Sequence, residues 1–191
     1  MSLIIGSIIA FGIMVVAFIG LAISSYNSLV SLRQQVDRAW ANIDVILKQR
    51  FDEIPQLIQV IEQFVKYEQK ILERLIESRK HYGQAQSVSE KIDASKEMSG
   101  ALRGILALGE AYPELKSNGQ FIQLQDRVSA LESHLSDRRE HYNETVTNLN
   151  TRIAQIPDSF FASILGYQAM NLFQVNQEER SRPSLKIKMS A

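Results

Sequence analysis

The feature that most constrains this chain is an uncharged apolar run near its N-terminus. Residues Leu3–Ile23 contain no charged residue and no proline, and the first charged side chain is Arg33. About 21 residues of helix measure about 31 Å, close to the ~30 Å hydrocarbon core of a bilayer. Because the backbone must satisfy its own hydrogen bonds in lipid, the run predicts one transmembrane helix. We assign residues 1–25 to this anchor.

A cleaved signal peptide is the alternative interpretation of the same run. Ala22 and Ser24 are small enough to precede a cleavage point. However, no Lys or Arg precedes the run, and it is longer than the ~7–15 residues of a signal peptide's apolar region. The chain contains no cysteine, which excludes both a disulfide and a lipid-modified N-terminal cysteine.

The distribution of Lys and Arg predicts the orientation of the anchor. Neither residue precedes the run, whereas Arg33, Arg38, Lys48 and Arg50 follow it. Positive residues near a membrane helix tend to stay in the cytoplasm. We therefore expect a single-pass protein with its N-terminus outside and its bulk in the cytoplasm.

Residues 26–175 are predicted to form one helical domain. Apolar residues recur at steps of three and four in a first stripe, which is typical of a helix packed in a bundle. A second apolar run extends from Ile54 to Leu75 and is expected to end with Gly83 in the left-handed conformation. Trp40 lies on the first stripe and is expected to be buried. The stripe comprises Leu29, Leu32, Val36, Ala39, Ile43 and Ile46.

Capping patterns delimit two further helices. Ser87 with Glu90 three residues later is a capping box, and the helix that it opens should stop at Tyr112, before Pro113. Asn118 is predicted to cap a fourth helix of about 36 residues. Its apolar residues recur every seven positions, as in a coiled coil: Phe121, Val128, Leu135, Tyr142, Leu149 and Ile156.

The junction between the first two runs allows two arrangements. Asp52, Glu53 and Pro55 resemble a helix start, which favours a turn at Lys48–Glu53 and an antiparallel four-helix bundle. We favour this arrangement because each helix then buries its own stripe. The alternative is a long first helix that is kinked at Pro55 and carries a helical hairpin. Both arrangements are all-α folds.

A dense apolar group follows the fourth helix. Asp158 is predicted to cap a short helix, Phe160–Leu165, that closes at Gly166. The expected role is a plug on the end of the bundle, and a membrane or partner surface is the alternative. Residues 176–191 form a basic tail that anionic lipid would attract. The candidate membrane-proximal residues are Phe160, Phe161, Phe173, Lys186 and Lys188.

No pattern typical of catalysis, cofactor binding or metal binding is present. His134, Asp137 and His141 can share a helix face, but neighbouring Arg138 and Arg139 would repel a cation. There is no Glu-x-x-His pair, no glycine-rich phosphate loop and no cysteine nucleophile. Acidic and basic residues are equal in number, which argues against a nucleic-acid surface. We expect no catalytic residue, no cofactor and no metal.

Several segments resemble the LemA family of bacterial membrane proteins. They cover most of the chain in order, with mild departures such as Ile156-Pro157 where the family favours Phe-Pro. The segments are Tyr26-Asn27-x-Leu29-Val30-x-Leu32-Arg33, Ala39-Trp40-x-x-Ile43-Asp44-Val45-x-Leu47-Lys48-x-Arg50-x-Asp52-x-Ile54-Pro55-x-Leu57, Glu110-Ala111-Tyr112-Pro113-Glu114-Leu115-Lys116-x-Asn118, and Arg139-x-x-Tyr142-Asn143-x-x-Val146-x-x-x-Asn150.

The resemblance implies an N-terminal anchor in the bacterial inner membrane, a cytoplasmic helical domain and a four-helix-bundle-like fold. It implies no reaction. We expect a non-enzymatic membrane-anchored scaffold or adaptor that contacts a partner protein, a second copy of itself or the lipid bilayer, and no nucleic acid. The alternative is an accessory subunit of a membrane protease, or a metal-dependent hydrolase.

In the four-helix arrangement, two turns meet at the membrane-distal end and form a candidate interaction tip. Its polar groups exceed what bundle packing requires, although they can also serve only to cap helices and fix turns. The tip comprises Lys48, Arg50, Asp52, Pro55, Tyr112, Pro113, Glu114, Lys116 and Asn118.

Overall fold

A computed structural model of the chain describes residues 1–64 and 69–173. Within these two ranges the protein is helical and contains no strand. Lys186 and Lys188 of the predicted basic tail lie outside the described residues. The helices are α1 (Ser2–Glu62), α2 (Gln69–Gln84), α3 (Val88–Ala111), α4 (Pro113–Lys116), α5 (Gly119–Ala154) and α6 (Asp158–Ile164).

The apolar run Leu3–Ile23 forms the first part of α1. Among the described residues, α1 is the one helix that is long and apolar enough to cross a membrane. None of its most apolar stretch is buried against the rest of the protein. A helix whose exposed side chains are uncharged and almost all apolar has the surface that a bilayer requires.

Helix α1 passes through Pro55 without a break, so the turn predicted at Lys48–Glu53 is wrong and the continuous helix is correct. Proline has no N–H, so the carbonyl of Phe51, one turn earlier, loses its usual helical donor. Arg79 of α2 replaces that donor, since its Nε lies 3.3 Å from the Phe51 oxygen. A tertiary contact therefore satisfies the helix where the sequence suggests a break.

The predicted caps of α3 and α5 are confirmed. Ser87 accepts from the backbone N–H of Glu90, whose carboxylate accepts from the Ser87 N–H at 3.0 Å. The Asn118 side chain accepts from the N–H groups of Gln120 and Phe121 at 2.9 and 3.0 Å. Helix α5 spans 36 residues, the predicted length.

Helix α2 ends at Gln84, close to the predicted end near Gly83, but the roles predicted for Gly83 and Asp158 at helix ends are wrong. Gly83 lies inside α2, which continues to Gln84, and Gly166 is the one described glycine with a positive φ, at 72°. Asp158 does not cap α6, because Pro157 occupies the cap position and no side chain bonds there. The carboxylate of Asp158 instead lies 2.7 Å from Arg152 Nε.

The chain divides into two compact units, and the division falls within α1 and within α5. Unit 1 comprises residues 1–43 and 138–172, and unit 2 comprises residues 44–137 together with Phe173. The core of unit 1 contains Leu29, Val36, Ala39, Ile43, Tyr142, Val146, Leu149 and Ala162. The core of unit 2 contains Leu47, Ile54, Leu57, Ile61, Leu75, Met98, Leu102, Ile105, Phe121 and Leu135.

The predicted stripes therefore form the cores, with three exceptions in unit 1. Leu32 of the first stripe is half-buried. Trp40 is only half-buried, and its ring packs edge-on against Tyr142 with centroids 5.8 Å apart. Ile156, the last residue of the predicted seven-residue repeat, is 91% exposed. Since α5 ends at Ala154, Ile156 no longer follows the helical register.

Candidate functional site

The predicted tip residues of α1 lie along a helix and not at a turn. Lys48 and Asp52 are exposed and form an ion pair across one helical turn, with Nζ and Oδ1 2.7 Å apart. Pro55 lies inside α1 and is half-buried. An exposed pair at this spacing contributes only about 0.3–0.5 kcal/mol, so these side chains are not required to hold the helix.

The tip residues after α3 form a separate group in unit 2. Tyr112 ends α3, and Pro113 begins the single-turn helix α4, in which Glu114 and Lys116 are exposed. Asn118 caps α5, as predicted. These residues provide the turn between two long helices and present one acid and one base to solvent.

The two groups do not share one turn, so the predicted common tip is wrong. Glu53 of α1 lies 3.2 Å from Arg127 of α5. Arg127 follows Asn118 by roughly 13 Å along α5, at 1.5 Å per residue. The Lys48–Pro55 segment therefore faces the middle of a helix, whereas Tyr112–Asn118 lies at a helix end.

Arg50 is a core residue and not an exposed recognition residue. It has no exposed surface, its Nη2 donates to Ser99 Oγ at 2.8 Å, and it forms an ion pair with Glu132. Arg50 follows Leu47 by three residues and precedes Ile54 by four, so it occupies the apolar stripe of α1. That spacing was the sequence feature that could have identified it as buried. Its role is to join α1, α3 and α5.

A second polar group joins α1 to the hairpin of α2 and α3. Asp44 Oδ1 accepts from the hydroxyl of Tyr82 at 3.3 Å and from Nζ of Lys91 at 2.7 Å. Burial, and then the negative charge of Asp44, raise the pKa of Tyr82 above its ordinary value. Tyr82 therefore remains a neutral donor at physiological pH, which suits a structural hydrogen bond.

Helices α2 and α3 are also linked by a histidine between two acids. His81 Nδ1 lies 2.7 Å from Glu97 of α3, and its Nε2 lies 3.0 Å from Glu77 of α2. The hydrogen bond with Glu97 is the main cause that raises the pKa of His81. His134 and His141 are exposed on α5. In residues 1–64 and 69–173, no group of three or more His, Asp or Glu side chains is arranged to hold a metal ion.

A groove of about 460 Å³ runs between α2 and α3. Ser78 is a lining hydroxyl, but it donates to the backbone carbonyl of Leu75 at 2.9 Å, within its own helix. Gly104 provides close packing, since a Cβ there would lie 3.6 Å from Ile71. The lining of the groove is thus explained by helix packing.

Unit 1 contains the other candidate region, where α6 lies beside the apolar part of α1. The ring centroid of Phe161 is 5.8 Å from that of Phe18, and Phe160 packs on Phe161 at 5.5 Å. Phe160 itself is 59% exposed and Ile164 is 68% exposed, so these side chains do not form the predicted plug. Phe173, in contrast, is fully buried.

The segment after α6 is fastened to α5 by Asn150. Its side-chain amide donates to the Met170 carbonyl and accepts from the Met170 N–H, both at 2.8 Å. At the end of α6, the N–H of Tyr167 donates to the Ala162 carbonyl at 2.9 Å, and Gly166 supplies the positive φ that this turn requires. These contacts thus hold the C-terminal side of α6, and the ion pair between Asp158 and Arg152 holds its first residue.

Comparison with known proteins finds one matching family profile and several magnetosome proteins of low identity. A sequence profile of the LemA family matches residues 39–187. The magnetosome proteins MamQ 1 and MamQ 2 of Paramagnetospirillum magneticum are each 20% identical over 186 residues, which cover 84% of this chain and 68% of theirs. The magnetosome protein MamQ of Magnetospirillum gryphiswaldense is 21% identical over 184 residues, with 83% and 68% covered.

Proposed function

This chain belongs to the LemA family, and from that premise we propose that it is a non-enzymatic, membrane-anchored scaffold or adaptor that binds a partner protein. Its place would be the bacterial inner (cytoplasmic) membrane, with a single pass, the N-terminus outside and the bulk of the chain in the cytoplasm. The relatives are named for the magnetosome, and that association is theirs.

The observation that carries this proposal is the unbroken helix α1. Its first part exposes an apolar surface suited to lipid, and its later part carries the buried stripe of a protein core. Helix α1 therefore provides both the proposed membrane anchor and part of the core of the helical domain. This is the arrangement expected of a protein whose role depends on being held at a membrane.

The interior of unit 2 supports a structural role over a catalytic one. Arg50 is bonded to Ser99 and Glu132, and Asp44 is bonded to Tyr82 and Lys91. An active site usually holds polar groups free to meet a substrate in a pocket, whereas these groups meet each other. We therefore propose no reaction, and no specific observation favours the alternative of a hydrolase or protease subunit.

We also propose that parts of α1, α2, α3 and α5 form a four-helix bundle within unit 2. Arg79 of α2 contacts Phe51 of α1 through a cation–π interaction at 4.0 Å, which adds to its hydrogen bond to the Phe51 carbonyl. Helix α5 lies antiparallel to α1, because Arg50 pairs with Glu132 and the later Glu53 pairs with the earlier Arg127. Such contacts link each helix to a neighbour, as a bundle requires.

The proposed partner-binding surface is α4. Glu114 and Lys116 are exposed on this turn, and the packing of the helices does not require their side chains. Charge reversal by Lys116→Glu tests it, with a photoreactive amino acid at the neighbouring exposed Ser117 to capture the partner in intact membranes. We expect a discrete cross-linked product that Lys116→Glu abolishes with less than about 1 kcal/mol of stability lost. Lys70→Glu, an exposed lysine on α2, is the matched control.

Three outcomes would contradict the α4 surface: no product, a product unaffected by Lys116→Glu, or a product lost equally in Lys70→Glu. A product of twice the chain's mass would identify a second copy as the partner. Orientation is tested separately with reporters fused after Ala191. We expect a silent alkaline phosphatase and a fluorescent cytoplasmic reporter, and an active phosphatase would reverse the orientation.

A further inference from the structure

We infer that α6 inserts into the interfacial layer of the bilayer beside the anchor, so that the chain is held by the membrane at two places. This inference rests on the proposed membrane anchoring and goes beyond it, because it assigns a second lipid contact to residues far from the N-terminus. The occupant that we assign to the exposed face of α6 is therefore lipid.

The first observation is that two large apolar side chains of α6 point away from the core of unit 1. Phe160 and Ile164, one helical turn apart, are exposed, whereas Asp158 and Ala162, also one turn apart, are buried. In a water-soluble helix the opposite pattern is the rule. A contiguous apolar patch on a protein surface marks a contact with another apolar surface.

The second observation is the depth of α6 along the anchor. Phe161 contacts Phe18, which lies roughly 7–8 Å inside the apolar run that ends at Ile23. Helices that lie on a membrane place their apolar face about 5–10 Å into the boundary between headgroups and acyl chains. The contact thus sets α6 at the level that an interfacial helix occupies.

The third observation is the charge of this region. Asp158 is the sole charged residue of α6, and its carboxylate is paired with Arg152 at 2.7 Å and is almost fully buried. The sequence from Ser159 to Gln177 contains no charged residue. An unpaired charge at this depth would be costly, and the region has none to place there.

The fourth observation is that α6 is fixed before it meets lipid. Asn150 holds the backbone of Met170, and the turn at Gly166 closes the helix. These contacts hold the C-terminal side of α6, and the Asp158–Arg152 ion pair holds its first residue, so the helix loses little conformational entropy on insertion. A protein partner at this face would itself need to lie in the bilayer, because the neighbouring surface is that of the proposed anchor.

The natural absence of cysteine makes the test direct. Single-cysteine variants of the full chain, Phe160→Cys and Ile164→Cys, are labelled with an environment-sensitive fluorophore and reconstituted in vesicles of phosphatidylcholine and phosphatidylglycerol. Lipids with a spin label near the headgroup or deep in the acyl chain then quench the fluorophore. Ile19→Cys in the anchor and Glu144→Cys on α5 are the membrane and solvent controls.

We expect the shallow spin label to quench positions 160 and 164, and position 19 at the same level of the anchor, several-fold more than position 144. The deep label should quench positions 19, 160 and 164 less than the shallow label does. Quenching at 19 without quenching at 160 and 164 would overturn the inference about α6 and leave the anchor intact. Absence of quenching at position 19 would overturn the anchor itself. Fluorophores at 160 and 164 that are shielded from water but not quenched by lipid would show a protein contact, which also overturns the inference.

Discussion

Arg50 of α1 and Glu132 of α5 form an ion pair in which the arginine has no exposed surface. Ser99 of α3 accepts a hydrogen bond from the same guanidinium, so three helices meet at one charge. A buried charge is tolerated when it is paired and hydrogen-bonded, and it becomes costly when one partner is removed. The pair therefore favours the one alignment of α1, α3 and α5 in which Arg50 keeps both partners.

Removal of one partner should destabilise the protein more than removal of both. Glu132→Leu leaves Arg50 with its charge buried, and we expect a loss of about 3 kcal/mol. Arg50→Met combined with Glu132→Leu should recover most of that loss. Chemical denaturation of the full chain in nanodiscs, followed by circular dichroism, measures both. Lys48→Met, in an exposed pair on the same helix, is the control and should cost below about 1 kcal/mol.

Two glycines of α3 should respond to alanine in opposite directions. A Cβ at Gly109 would lie 2.9 Å from Cε1 of Phe121, a ring with no exposed surface to move into. Gly109→Ala should therefore cost about 1–3 kcal/mol. A Cβ at Gly100 meets no atom within 4 Å, so Gly100→Ala should stabilise the helix by up to about 1 kcal/mol. Thermal unfolding of both variants checks this, and equal effects would refute the close approach at Phe121.

The link between α2 and α3 should weaken as pH rises. Glu97 and Glu77 raise the pKa of His81, so the folded state favours the protonated ring. The stabilisation is fully present below the ordinary histidine value of 6.5 and is lost as pH rises through the raised folded-state pKa. We expect stability to fall over this interval, and His81→Gln to remove that fall. His141→Gln, whose ring lies 3.9 Å from Glu144, should keep it.

Asn150 should control how well the segment after α6 is held. Asn150→Ala removes both hydrogen bonds to Met170, and chymotrypsin should then cleave near Tyr167 and Leu172 several-fold faster. Asn150→Asp can still accept from the Met170 N–H, but its carboxylate faces the Met170 carbonyl, so an intermediate rate is expected. Thr151→Ala, at the neighbouring exposed position, should leave the rate unchanged. Equal cleavage in all three variants would argue against this role.

The helical pattern of the chain could be predicted from local sequence, because helix caps and apolar periodicity act over a few residues. The capping box at Ser87 and the cap at Asn118 are examples. The predicted break near Pro55 was wrong because a contact between residues far apart in the sequence decides the structure there. The carbonyl of Phe51 is satisfied by Arg79, 28 residues later in the chain, and no local rule anticipates such a donor.

The candidate site was predicted less well than the helices. Arginine usually lies on the surface, but the spacing of Arg50 from Leu47 and Ile54 places it on the buried face of α1. The exposure of Phe160 could not be read from sequence, since apolar residues after a long helix fit a plug equally well. The position of α6 beside Phe18 depends on tertiary structure alone.

The contact between Phe18 and Phe161 also has a consequence for the order of events during synthesis. The two rings are separated by about 140 residues, so at roughly 5–20 residues per second the second emerges from the ribosome about 7–30 s after the first. Under the proposed anchoring, the N-terminal helix has by then had time to enter the bilayer. The newly synthesised α6 would thus pack against an N-terminal helix that is already in the bilayer. The phenylalanines of α6 would then spend little time in water, where they would promote aggregation.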